Sequence, residues 1–303
     1  MNKPLKEEIP CPICDSRRYR VLYEPWKDVQ NPVALYGATS GVQGTQRLVT
    51  CLDCGVIYEN PRYSPQVILE GYRSYAQETH DSQHPMRVDS FYRALVGMRK
   101  YLPSAGAHVL DVGTAGGAFL EAAQRFGYHA VGLEPSEFMV EQGKQRGLNI
   151  LQGTLADDLF SEHSFDMICF WDVLEHLPFP KEELLRARRL LKPDGILLIN
   201  YPDIGTWMAK LAGRHFWWLL SVHLVHFSQK SIRKLCELTG FQAYHFEPYW
   251  QTLQFGYLED MAIHLRLPLS RVAKRLTPLK VQTIAVPYYA SQTTALARLK
   301  PNG

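Results

Sequence analysis

Four of the six cysteines stand in two pairs, Cys11-Pro-Ile-Cys14 and Cys51-Leu-Asp-Cys54. Two such knuckles are a metal signature. Four thiolates complete the tetrahedral shell of Zn²⁺ and leave no open position, which marks a structural site rather than a catalytic one. Disulfides are the competing reading, and a reducing compartment disfavours them. A thioredoxin-like redox motif would need one pair beside a βαβ unit, not two distant pairs. A second group is Asp172, Glu175 and His176. Spacings of i, i+3 and i+4 bring three side chains to one face at a helix start. His176 could then act as a general base, its ordinary pKa lying near neutrality. The trio could instead hold a divalent ion that orients and polarises an acceptor hydroxyl. A third reading leaves the three only capping a helix. His223 and His226 follow the aromatic run His215-Phe216-Trp217-Trp218. His223 could reach a substrate, or both could be hydrogen-bonded structural histidines. The last group is Asp111 with the small-residue turn Gly113-Thr114-Ala115-Gly116-Gly117.

The elements that must position these groups follow from punctuation and periodicity. The zinc module is expected to end near Asn60-Pro61-Arg62, with strands at Tyr19–Tyr23 and 46–50. Gly55 follows the second knuckle, where a tight turn calls for positive φ. A helical connector follows: Ile68, Leu69, Tyr72 and Tyr75, then Phe91, Leu95, Met98 and Leu102, recur at helical spacing. Tyr72 and Tyr75 could close over a ligand or pack in the core. From about Gly106 strands and helices alternate. Strands are expected at 109–112, 130–133, 149–152, Phe165–Trp171 and 195–201. Helices are expected at Ala118–Phe126, after Ser136, and at 184–191. This alternation implies a parallel sheet with helices on both faces. Ser228 caps a further helix, and 241–249 and 293–299 read as closing strands. Cys169 and Cys236 lie in apolar surroundings and read as core. Two insertions, 203–227 and 255–280, are expected over the carboxyl edge of the sheet, where ligands bind in open α/β folds.

Composition narrows the class. The 303 residues are 46% hydrophobic and 21% charged, an ordinary globular balance that excludes fibrous and disordered chains. A net charge of +3 does not by itself imply a nucleic-acid binder. The start, MNKPLKEEIP, carries acids where a secretory signal has its apolar stretch, so a cytoplasmic protein is expected. The charge is uneven. Residues 261–303 contain no Asp or Glu but seven bases, a segment that suits an anionic ligand, a lipid surface or simple solvation.

The strand–turn–helix around Asp111 is the most informative stretch. The dinucleotide fingerprint GxGxxG fails, because Ala115 stands two after Gly113 and Gly116 and Gly117 are consecutive. No GxxxxGK[ST] occurs, which excludes a phosphate-loop nucleotidase. The stretch resembles the first motif of class I S-adenosylmethionine-dependent methyltransferases, [D/E]-x-G-x-G-x-G. Asp111, Gly113 and Gly117 match, and Ala115 replaces the middle glycine. Glu134, in Val131-Gly132-Leu133-Glu134-Pro135-Ser136, matches the acid that ends strand two in that family. The resemblance implies that Glu134 accepts both ribose hydroxyls, a task suited to the two oxygens of one carboxylate. Gly153-Thr154-Leu155, Trp171 to Leu177, and Leu191-Lys192-Pro193-Asp194-Gly195 match later motifs in order. Thr154 and Leu155 stand where the family contacts adenine. The segment Asp172 to His176 resembles the E-x-x-E-H of ubiquinone-pathway O-methyltransferases, which binds Mg²⁺, with Asp172 for the first Glu. The knuckles and the run His223 to Gly240-Phe241 resemble zinc-ribbon-bearing bacterial methyltransferases.

The resemblance implies a Rossmann-like, seven-stranded class I methyltransferase core, α/β with helices on both faces. A zinc ribbon (1–62) and a helical connector (63–104) precede that domain (105–303). The implied cofactor contacts are Asp111, Gly113, Ala115, Gly117, Glu134, Pro135, Thr154, Leu155 and Asp172, beside zinc on Cys11, Cys14, Cys51 and Cys54. The catalytic candidates are His176, Glu175 and His223. The expected reaction is methylation, first of a hydroxyl on a small or carrier-linked acceptor such as a sugar, polysaccharide or lipid-linked compound. C-methylation of a nucleotide-linked keto sugar comes second, though those relatives carry a further C-terminal domain. RNA methylation would show as binding lost with salt. An adaptor presenting the ribbon to a partner protein would have no reason to keep Asp111 and Glu134. Peripheral membrane contact by Trp207, Trp217 and Trp218 competes with their packing inside the insertion.

Overall fold

The computed structural model describes residues 6–28, 31, 33–36, 41–73, 84–264 and 269–300. Tyr75 lies outside them. The described chain builds two sheets.

The large sheet has seven strands. Five are parallel: β4 (His108–Val112), β5 (His129–Glu134), β6 (Ile150–Gln152), β7 (Phe165–Trp171) and β8 (Leu191–Pro202). The antiparallel pair β10 (Phe241–Gln254) and β11 (Ala285–Leu299) closes one edge, giving the order β10-β11-β8-β7-β4-β5-β6. Alternating side chains split the core in two. Leu110, Ile168, Phe170, Leu197 and Ile199 face one side, packed by Leu184 and Ala187 of α5 (Pro180–Leu190) and Ile232 and Leu235 of α7 (Gln229–Leu238). Val109, Met167, Cys169, Ile196 and Leu198 face the other, under Phe91 and Leu95 of α2 (His84–Met98), Phe119 and Leu120 of α3 (Ala118–Phe126), and Val140 of α4 (Glu137–Gln145). Cys169 and Cys236 are fully buried core residues. α3 has the expected bounds because Gly117 and Gly127 bracket it, both with positive φ.

The small sheet has the order β1-β2-β3-β9. Its first three strands are Tyr19–Tyr23, Leu48–Cys51 and Ile57–Glu59, and α1 (Pro65–Arg73) follows. The fourth, β9 (Val225–His226), comes from the segment expected to be an insertion. Ile57 pairs with His226 and Tyr58 with Val225. The rest of that segment is also bound to the N-terminal part. The Gln46 Nε2 donates to the carbonyls of Ser221 (3.1 Å) and His223 (2.9 Å), and the Ser221 hydroxyl donates to the Leu35 carbonyl. Tyr58, Val56 and the buried cysteines therefore share one apolar core with Leu110 and Ile168. Trp217 and Trp218 donate to the Ala290 carbonyl, so they pack this segment onto β11, whereas Trp207, on α6 (Trp207–Ala212), is exposed. After β10 come α8 (Phe255–His264), α9 (Ser270–Leu276) and α10 (Leu279–Gln282). Among the described residues, no helix is long and apolar enough to cross a membrane.

Candidate active site and cysteine cluster

The four thiols converge. The sulfurs of Cys11, Cys14, Cys51 and Cys54 all lie within 4.8 Å of one another. Cys11 and Cys54 are 3.5 Å apart, and Cys14 and Cys51 3.6 Å. A tetrahedron with metal–sulfur bonds of about 2.3 Å has edges of about 3.8 Å. The donor set therefore fits zinc in size and chemistry. Gly55 adopts the positive φ, 79°, that the knuckle turn requires.

The second cluster forms at the carboxyl ends of β4, β5 and β7. The turn after β4 holds three successive odd positions in the left-handed region: Gly113 (φ 70°), Ala115 (φ 48°) and Gly117 (φ 86°). Gly117 holds φ 86°, which a residue with a Cβ rarely adopts, and a Cβ there would also push on Leu148 Cδ1 at 2.4 Å. Ala115 bears a methyl in a region that costs roughly 1 kcal/mol. Its backbone N–H holds it there by donating to Glu134 Oε2 (2.9 Å). The other oxygen of Glu134 accepts the Ser136 N–H (2.9 Å), and the Tyr72 hydroxyl approaches at 3.5 Å. Burial nevertheless pushes the Glu134 carboxyl up to about 7. Burial pushes Asp111 up to about 7 as well, and its Oδ1 is buried with no hydrogen-bond partner.

Asp111, Gly113, Ala115 and Trp171 line one cleft, roofed by His84, Arg87 and Phe91 of α2. Phe91, Phe119 and Trp171 form its aromatic wall, and Tyr249 packs against Phe91 and Trp171, with ring centroids 5.0–6.1 Å apart in the pairs that Phe91 and Trp171 make. Sequence reasoning missed Arg87. Its cation opposes the burial of both Asp111 and Asp172. The available signal was its place one turn before Phe91 on the buried face of α2. Thr154 and Leu155 line a separate hollow with Asp158, Phe160 and Arg186. Thr154 there forms a capping box with Asp157, and Leu155 is buried in the core. Pro135 is half-buried beside Glu134.

Asp172, Glu175 and His176 do not form the expected trio. Asp172 Oδ1 accepts from Gln292 Nε2 (2.6 Å), a partner on β11. Glu175, His176 and His223 cluster instead, with their ligand atoms within 4.8 Å of one another. The reason is backbone pairing. Leu224 N–H donates to the Glu175 carbonyl (2.7 Å), which draws His223 against the short helical turn Leu174–His176. Two imidazoles and one carboxylate are not the oxygen shell that Mg²⁺ prefers, so the expected magnesium site does not fit. Both Glu175 oxygens are buried without a hydrogen-bond partner, and burial raises this carboxyl well above its ordinary range. Burial also lowers His176, and brings His223 down to about 4 and His226 to about 3, so all three rings are neutral at pH 7. His223 Nδ1 stands 2.8 Å from the Trp218 carbonyl. None of Glu175, His176 and His223 is among the residues lining the cleft under α2.

Comparisons with known proteins agree with this geometry. A ubiquinone biosynthesis O-methyltransferase of Haemophilus ducreyi is 35% identical over 106 residues, 31% of this chain and 45% of the relative. One from Xylella fastidiosa is 30% identical over 153 residues, 48% of this chain and 61% of the relative. The chain thus spans about half the length of the curated relatives it matches. A SAM-dependent methyltransferase structure from Archaeoglobus fulgidus superposes with a TM-score of 0.50 at 16% identity, covering 73% of this chain and 99% of that one. The YcgJ protein of Bacillus subtilis gives 0.50 at 16%, covering 70% and 100%. These two share the Rossmann-like fold. Residues 86–245, more than half of the chain, match the family Methyltransf_23, described as a methyltransferase domain, and the chain belongs to that family.

Proposed function

We propose that the chain is an S-adenosylmethionine-dependent methyltransferase acting on a hydroxyl of a small or carrier-linked acceptor, such as a sugar, polysaccharide or lipid-linked compound. One observation carries the reading. Two buried carboxyls, Asp111 and Glu134, end adjacent parallel strands and flank a left-handed turn that opens on a cleft, and Asp111 keeps an unpartnered oxygen. Such a site is built for a ligand rich in hydrogen-bond donors. The relatives named O-methyltransferases support oxygen as the acceptor atom.

When bound, S-adenosylmethionine supplies a methyl group activated by a sulfonium. Glu134 would accept from ribose hydroxyls, with Pro135 and the turn Gly113 to Gly117 shaping the space beside it. Arg87 would meet the ligand's carboxylate across the cleft from Asp111. Phe91, Phe119 and Trp171 would exclude water and hold the acceptor in reach. Asp172, fixed by Gln292, would shape the far end. The neutral rings of His176 and His223 stand outside that cleft and would take a proton only from an acceptor that extends past Asp172 toward Glu175. Thr154 and Leu155, which follow the strand paired to β5, would take the base of the cofactor in the hollow they line with Asp158 and Phe160. Residues 1–62 would act as a zinc ribbon on Cys11, Cys14, Cys51 and Cys54. Residues 63–104 would act as a connector carrying the roof. Residues 105–303 would form the transferase domain, with 203–227 and 255–280 bordering the acceptor side.

Calorimetric titration with S-adenosylhomocysteine tests this. One-to-one binding is expected, lost in Glu134→Ala; normal binding by that variant would overturn the assignment.

A further inference from the structure

The segment between β10 and β11 is unlike the rest of the molecule. The hairpin they form overruns the sheet: Gln292 meets Pro202 at the end of β8, yet the pairing continues outward to Gln254 with Ala285. The three short helices α8–α10 sit at that tip. Neither α9 nor α10 buries a single residue. Leu269, Leu276 and Leu279 are 78%, 77% and 80% exposed, an unusual cost for leucines grouped so closely. Arg271 and Arg275, four residues apart on α9, and Lys280 on α10 are exposed beside them. Among the described residues, Lys274 of α9 pairs with Asp260 of α8.

We propose that this cap docks on a lipid bilayer carrying anionic headgroups. The leucines would enter the headgroup–acyl boundary while the arginines and the lysine meet phosphates, the arrangement of an interfacial helix. Charge selects this occupant. The acids of the cap are engaged, Glu259 buried against Thr277 and Asp260 paired to Lys274, and residues 261–303 hold none, so a second copy of the same patch would set like charges against each other. The hairpin carrying the cap runs past the end of β8 on the carboxyl side of the parallel sheet, the side on which the cleft opens on the methyltransferase reading. A docked cap would there offer lipid-linked acceptors a short path. Docking itself does not depend on that reading, and titration of the same sample with S-adenosylhomocysteine tells the two apart.

The test is co-sedimentation of the full chain with vesicles of phosphatidylcholine alone and of phosphatidylcholine mixed with phosphatidylglycerol. Sedimentation is expected with the mixed vesicles only, weakening as salt is raised. The double variants Leu276→Ser/Leu279→Ser and Arg271→Glu/Arg275→Glu should each weaken it about tenfold or more. Both should melt like the unaltered protein, since the altered side chains are exposed. The proposal is overturned if the mixed vesicles leave the protein in solution, or if both variants sediment unchanged. It is equally overturned if centrifugation without lipid reveals a dimer that Leu276→Ser/Leu279→Ser abolishes, since the patch would then join two copies.

Discussion

Burial lifts the Glu134 and Asp111 carboxyls well above their ordinary range, and this has a readable sign. Both carboxyls are raised to about 7 by burial. A raised carboxyl favours the folded state while protonated. Its contribution is full below the ordinary carboxylate range, near pH 4, and is lost as pH rises through about 7. Ligand-free protein should therefore lose stability over that window. Donors from a bound ligand favour the ionised form, so binding must release a proton. Affinity for S-adenosylhomocysteine should be about tenfold weaker at pH 6 than at pH 8 if one carboxyl governs it. Titrations at the two pH values check this, and equal affinities would show that neither carboxyl ionises on binding. Ala115 illustrates how local the motif is. A non-glycine residue occupies a left-handed position because its N–H is wanted by Glu134.

The four-stranded N-terminal sheet depends on its cysteines. β2 ends at Cys51 and β3 begins just after Cys54, so the knuckle between them sets the pairing that β9 then extends. With zinc on the cluster, as proposed, removing it with a chelator or making Cys11→Ser should lower the unfolding free energy by several kcal/mol. Thermal melts with metal analysis would show it; unchanged melting would mean that apolar packing suffices. Much of this architecture was legible beforehand. β7 has its expected bounds because seven apolar-rich residues lie between polar turns. The cysteine spacing foretold their convergence. β9 was not legible, since two residues show no alternation and only their partner strand defines them. β10 and β11 each run beyond the expected 241–249 and 293–299, because Pro248 and Pro287 sit inside them and mask the continuation. The grouping of His223 with Glu175 rests on long-range backbone pairing that no local pattern encodes.

The two sheets share a core, and this distinguishes the chain from a transferase with a detachable tag. Residues 63–303 alone would expose the apolar surface that Val56 and Tyr58 cover and would leave β9 without a partner. That fragment should aggregate or melt well below the full chain, as solubility and circular dichroism would reveal. A soluble fragment with unchanged melting would make the N-terminal sheet an accessory. The same pairing bears on how the protein comes into being. A ribosome releases the amino end first, so β1, β2 and β3 emerge long before Val225 and His226 exist. Their outer edge must wait, open, until most of the chain has been synthesised. Cysteines bound to metal at that early stage would keep the waiting strands in register, and cells starved of zinc during synthesis should accumulate misassembled protein even if zinc is restored afterwards.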